Sequence, residues 1–231
     1  MRVARIVLIV VVILGGLFVA ADRIAVNVAE KKAAERARNS EDLTAEPKVS
    51  IKGFPFLTQV AAGRLHDVTI TADDIAAGDG GQSVRIETFH ADLHGVRLSG
   101  GFSRAVADTA GGSAFLTYAD LTKAAPSGIS VSYGGTDTAG RPMVKLTGTI
   151  LNARLSVLSE LSVQGGDGIR LHAEGLPEAF TALGLEDQAR QALDFSTRLS
   201  HLPAGIALTG VTTSADGITV AAGGKHVVLA N

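Results

Sequence analysis

Cysteine and tryptophan are missing from the 231 residues, and aromatic side chains number only ten, eight Phe and two Tyr. Without cysteine there is no disulfide framework, no thiolate zinc site and no cysteine nucleophile. Neither sign of charge dominates: 21 Lys and Arg stand against 23 Asp and Glu, a net charge of −2. No basic field marks a nucleic-acid binder, and no nucleic-acid partner is expected. Charged residues make up 19%, below the usual ~25%. Glycine, by contrast, is plentiful: 27 residues, about 12% against a usual ~7%. With 46% hydrophobic residues the chain is too apolar for disorder. These proportions suit a β-rich, turn-rich domain with an aliphatic interior, plus an appendage.

The appendage is at the amino terminus. Arg2 and Arg5 precede Ile6–Ala21, a run without a charge, and Asp22 and Arg23 close it. A positive start before an apolar stretch is read by the export machinery and leaves the terminus in the cytoplasm. Phe18-Val19-Ala20-Ala21 is a poor small-residue cleavage site. An uncleaved signal anchor is therefore expected, with a cleaved signal peptide as the alternative. Either route carries the rest of the chain out of the cytoplasm, and the uncleaved anchor gives a single-pass protein of the cell membrane. From Asp22 to Arg38 helix formers dominate, and Ile24, Ala25, Val28 and Ala29 form a narrow apolar stripe. The charges beside that stripe read as a solvated stalk or as contacts to anionic headgroups. Ser40–Pro47 is a polar linker, dividing the chain into 1–21 (anchor), 22–47 (amphipathic helix and linker) and 48–231 (the main domain).

Beyond Pro47 the pattern is that of strands. Val68–Ala72 alternates cleanly, and Gly78–Gly81 reads as a turn. Val84 and Ile86 share one parity, Phe89, Ala91 and Leu93 take the other, and Val96 and Leu98 switch back. Parity switches inside a strand predict β-bulges, hence a strongly curled sheet. Ile129, Val131 and Tyr133 alternate, then Val144, Leu146 and Ile150 beyond a Gly134–Gly140 turn; Leu151, Ala153, Leu155 and Val157 follow with shifted parity, another predicted bulge. Ile169, Leu171 and Ala173 follow the Gly165–Gly168 turn, and Asp216-Gly217 sets a closing hairpin. Two helices are predicted: a short one from the Thr117–Asp120 capping box to about Ala125, and a longer one from Leu176-Pro177 to about Ala192. The fold class expected is α+β: a long amino-terminal helix and a highly curved antiparallel sheet enclosing an apolar groove.

Motifs of catalysis are missing. There is no G-x-S-x-G, H-E-x-x-H, Walker loop or G-x-G-x-x-G. His90 and His94 would share a face on a helix, but on a strand they lie roughly 13 Å apart, too far for one ion. No metal and no cofactor is expected, and no catalytic residue can be chosen.

One segment is distinctive: Gly53-Phe54-Pro55-Phe56-Leu57-Thr58-Gln59, followed by Gly63-Arg64-Leu65. Pro55 fixes a bend between two aromatics, and Thr58 is placed to cap a helical turn ending at Gly63. The segment reads either as a hydrophobic plug or as an apolar lip over a lipid groove. This run, with the Val68–Ala72 strand, the Leu202-Pro203-x-Gly205-Ile206 step and the Asp216-Gly217-Ile218 hairpin, resembles the actinobacterial LmeA-like phospholipid-binding family. Ala204 is a small departure from its pattern. The resemblance implies a tubular lipid-binding fold, akin to half of a bactericidal/permeability-increasing protein, in which a long helix lies along a curved sheet. It also implies an envelope setting, and for one member a phospholipase A activity that supports mannan-lipid elongation. The function expected is an exported, membrane-anchored protein that shelters the acyl chains of a phospholipid for envelope lipid carriage or maintenance. An acyl-ester hydrolase acting on anionic phospholipids is the alternative, and a structural envelope protein without ligand a further one. The residues expected to contact lipid are Phe54, Phe56, Leu57, Val60, Val68, Ile70, Ile86, Leu146, Leu155 and Leu171; the partners are a phospholipid or other acyl lipid and the cytoplasmic membrane.

Overall fold

An apolar, Ala-rich start without proline propagates as a single helix. In a computed structural model, α1 runs unbroken from Arg2 to Ser40, about 58 Å at 1.5 Å per residue. The structure describes residues 2–40, 43–77, 84–101, 103–150, 153–175, 184, 195–198 and 202–230. The predicted turn at 78–81 and the predicted helix at 176–192 fall outside them, save for Gly184.

The charge-free run Ile6–Ala21 is exposed throughout, whereas the second half of α1 docks on the domain. Asp22, Val26 and Ala34 are buried there, with Ala25, Ala29 and Ala33 half-buried beside them. The expected stripe is thus rotated. Ala25 and Ala29 face the domain, but Ile24 and Val28 lie on the opposite side and are exposed. The docking face is made of Val26 and small alanines, which allow the helix to approach the sheet closely.

The strands form two antiparallel sheets that do not close into a barrel. The larger has the order β1 (Lys48–Lys52), β2 (Arg64–Ala77), β3 (Val84–Ser99), β4 (Arg104–Thr117), β11 (Gly217–Ala230), β10 (Ile206–Thr213). The smaller has β5 (Ser130–Thr136), β6 (Pro142–Ile150), β7 (Ala153–Gln164), β8 (Gly168–Glu174) and β9 (Phe195–Arg198) in sequence order. Two short helices complete the elements, α2 (Phe56–Ala61) and α3 (Tyr118–Ala124). The capping box is present: the Asp120 N–H donates to the Thr117 hydroxyl at 3.1 Å.

The parity switches in β3 are real, but they are not bulges. Leu65 and Val68, Leu93 and Val96, and Ala107 and Ala110 are each three residues apart, yet all are buried in one cluster. Strand geometry would send such pairs to opposite faces. The strands reconcile this by flipping together along one line through His66, Gly95, Asp108 and His226. Pairing lapses at those residues while the register on either side stays the same: Asp67 opposite His94 and Leu65 opposite Val96, for example. Gly95 and His226 carry positive φ, 63° and 52°. A Cβ on Gly95 would also stand 2.5 Å from the Asp108 carboxylate. The sheet is therefore creased, with no residue inserted. A second flip on β2 and β3 lies at Asp74 (φ 58°) and Glu87. A true one-residue slip occurs in β10, between Leu208 and Gly210.

The parity shift after Ile150 has another cause. Ile150 pairs with Ala153 across the β6–β7 hairpin, so the chain reverses there and no bulge is present. Likewise Gly134 and Gly135 belong to β5, and the turn is confined to the residues after Thr136.

Apolar side chains gather in two clusters. The first lies between α1, α2 and one end of the larger sheet. The second lies between the other end of that sheet, α3 and the smaller sheet, with Val144, Leu161, Leu208 and Ile218 at its centre.

Candidate lipid-binding surface

The distinctive Phe-Pro segment is a junction of three elements. Asp22 is fully buried at the point where the apolar run of α1 ends, and its Oδ1 accepts from the Leu57 N–H at 2.8 Å. The first turn of α2 is therefore held by a carboxylate 35 residues earlier. Thr58 does not cap α2 as expected; its hydroxyl donates to the Pro55 carbonyl at 2.8 Å. Gln59, also buried, closes the other side: its Nε2 donates to the Lys52 carbonyl at 3.3 Å, and its Oε1 accepts from the His66 N–H at 2.9 Å. That N–H is one the crease deprives of a ladder partner. Further along α1, Glu30 accepts from the Ile51 N–H at 2.7 Å, which occupies a donor on edge strand β1.

Of the ten residues expected to contact lipid, Phe56, Leu57, Val60, Val68 and Ile70 come together in the first cluster. Ile86, Leu146 and Leu171 join the second. Leu155 is half-buried and belongs to neither. Phe54 is 58% exposed, its ring under the Arg23 guanidinium at 5.1 Å.

Where the clusters meet on the inner sheet face, the paired residues at the middle of one row, Ala91, Gly112 and Ala222, are small. Ile70, Ala91, Gly112, Ala222 and Leu208 form one row across β2, β3, β4, β11 and β10. Leu208 is buried; the other four are half-buried. The expected apolar groove is not among the features that the described residues show. They do form a recess of about 190 Å³, but it is polar, lined by Gly128, Ser130, Thr147, Gly148, Thr149 and Arg154.

Groups able to do acid–base chemistry lie on the outer face. His90 stands between Asp92, 2.9 Å from Nε2, and Thr71, 3.5 Å from Nδ1. Asp92 also accepts from Thr69 at 2.8 Å, and this bond, with that of His90, holds its carboxyl below the ordinary range. His94 bonds Asp67 instead, so the two histidines have separate partners, as their strand spacing requires. Ser159 is buried in the smaller sheet, and its hydroxyl has no partner among the described residues. It therefore lacks the adjacent base that a nucleophilic serine needs.

A family model described as LmeA-like phospholipid-binding matches residues 20–223. The chain belongs to that family. No curated protein matches it, and no solved structure does. In this LmeA-like chain the matched region opens two residues before Asp22 and contains the Phe-Pro junction, the second cluster, the crease except His226 and the first cluster except Val227. It leaves out most of the exposed apolar run. Membership supports phospholipid binding, and α1 is long and apolar enough to cross a membrane.

Asp22 and Gln59 are the residues that sequence reasoning passed over. Asp22 read as the charge that closes an apolar run, and Gln59 as part of a motif without a role. Their partners are distant in sequence, and only the position of Asp22 at the end of the run was a local signal.

Proposed function

We propose that this chain is a membrane-anchored phospholipid-binding protein of the cell envelope, which shelters acyl chains along the inner face of its larger sheet. The observation that carries the reading is the half-buried stretch Ala91–Gly112–Ala222, small-sided and continued by Ile70 of the first aliphatic cluster and Leu208 of the second. An extended hydrocarbon fits a surface without bulky side chains, and the clusters on either side keep water from it. Each buried methylene contributes about 0.8 kcal/mol, so a dozen yield roughly 10 kcal/mol before ordering costs. Arg2 and Arg5 before the apolar run orient the domain out of the cytoplasm. The task is read as lipid carriage or maintenance, with hydrolysis as the alternative; among the described residues the buried Ser159 hydroxyl has no partner.

Native mass spectrometry of the purified full chain tests this. Phospholipid is expected to co-purify, and Ala91→Phe and Ala222→Phe, which fill the row, are expected to abolish its retention while leaving the circular dichroism unchanged. Retention by both variants would refute the assigned surface. Fatty-acid release from phosphatidylglycerol would instead identify a hydrolase.

A further inference from the structure

The apolar run of α1 and the folded domain meet without a spacer. Ala21 ends the run, and the next residue, Asp22, is already buried and bonded to the Leu57 N–H. Ile6–Ala21 spans about 24 Å as a helix, shorter than the ~30 Å hydrocarbon core it would cross. A short span draws its flanking residues toward the membrane boundary. Arg23 lies two residues past Ala21, about 3 Å along the axis, inside a headgroup layer about 5–7 Å deep on each side.

At that level the chain exposes an apolar corner. Phe54 is 58% exposed beneath the Arg23 guanidinium, and Ile24, 65% exposed, is the next residue on α1. The corner is fixed. Gly53, at φ 97°, packs so closely on the Gln59 amide that a Cβ there would stand 2.8 Å from Nε2. Beyond the corner, α2 is held to Asp22. Of the other exposed aromatics among the described residues, Phe18 lies in the apolar run and Tyr133 in the smaller sheet. A rigid aromatic beside a cation, continuous with a membrane span, suits a lipid surface: the ring enters the acyl-chain boundary while the guanidinium reaches phosphates.

We infer that the Phe54–Pro55 corner is a bilayer-interface anchor that seats the first-cluster end of the domain on the membrane α1 crosses. The inference rests on the reading of α1 as a membrane anchor. It adds an orientation: the Asp22–α2 end lies on the lipid surface and the smaller sheet points away.

The chain has no tryptophan, so a single introduced one reports its own surroundings. Full-length Phe18→Trp, Phe54→Trp and Tyr133→Trp chains would be reconstituted in phosphatidylcholine–phosphatidylglycerol vesicles, with and without brominated phosphatidylcholine. Blue-shifted emission that the brominated lipid quenches is expected for Phe18→Trp and Phe54→Trp, and unquenched, water-like emission for Tyr133→Trp. Quenching of Phe18→Trp alone overturns the seating but leaves the anchor intact. Quenching of Tyr133→Trp overturns the orientation. An unquenched Phe18→Trp overturns the anchor itself, and the seating with it. In detergent carrying one brominated lipid per chain, quenching of Phe54→Trp marks a bound ligand rather than a bilayer, and also overturns the assignment.

Discussion

The two ends of the larger sheet are closed by different means. At the first, an apolar cluster is supplemented by directed polar bonds from α1 and α2: Asp22 to Leu57, Gln59 to Lys52 and His66, Glu30 to Ile51. At the second, aliphatic side chains from both sheets interdigitate around Val144 and Leu161. Polar bonds occur there too: Asp120 is gathered by Thr117, Lys123 and Arg85 at the cluster's edge, and the Thr122 hydroxyl both donates to and accepts from the Val131 backbone. Directed bonds fix a position and an angle, as a corner pinned to a membrane-spanning helix requires, but each has no substitute. Dispersed apolar packing is less specific and tolerates loss of its parts better.

This contrast can be broken by substitution. Asp22→Ala is expected to have the largest effect, because it leaves the start of α2 without its acceptor and frees the Phe-Pro segment from α1. Limited proteolysis should then cut between Gly53 and Leu57, and a segment as protected as in the parent chain would refute the clasp. Leu161→Ala, at the buried centre of the second cluster, should cost about 2–5 kcal/mol, a fall of roughly 5–15 °C in thermal midpoint. Its proteolytic pattern at the Phe-Pro segment should stay that of the parent. Gln59→Ala should cost about 1–3 kcal/mol by leaving the Lys52 carbonyl and the His66 N–H unpaired; hydrogen exchange at His66 is the local readout, and unchanged protection there would count against the bond.

The smallest effect is one of pH. The Thr117 hydroxyl, with Lys123 and Arg85, holds the Asp120 carboxyl below the ordinary carboxylate range, against the opposing influence of burial. A depressed value stabilises the fold above the unfolded carboxylate range, near pH 4, and that stability is lost as pH falls through the lower folded value. Asp120→Asn should therefore lower the thermal midpoint at neutral pH and flatten its decline below about pH 4. A parallel decline in both proteins would show that Asp120 does not report on acid unfolding.

Much of the architecture was legible in the sequence because it rests on local periodicity. The apolar run of α1, the Thr117 capping box and the alternation of β2 and β8 need only neighbours to be read. The parity switches in β3 were legible as events, but not their cause. A crease is a property of four strands at once, and no single strand shows that His66, Gly95, Asp108 and His226 will align. The hairpin between Ile150 and Ala153 looked like a bulge for a related reason, since a reversal and an inserted residue shift parity alike. Within the candidate site, Phe56 and seven of the aliphatic residues reach the two clusters, whereas Leu155 and Phe54 do not. The exposure of Phe54 follows from Gly53 and from Asp22, which sets the angle of α2.

The line through His66, Gly95, Asp108 and His226 also makes the sheet mechanically anisotropic. Flexure about that axis is taken up where ladder bonds are already missing and where Gly95 has no side chain to resist torsion. Flexure about an axis that follows neither this line nor the shorter flip at Asp74 and Glu87 strains unbroken ladders. Arg64 and Arg97 both grip Asp108 across the fold from outside, bracing the compliant direction like a strap over a hinge.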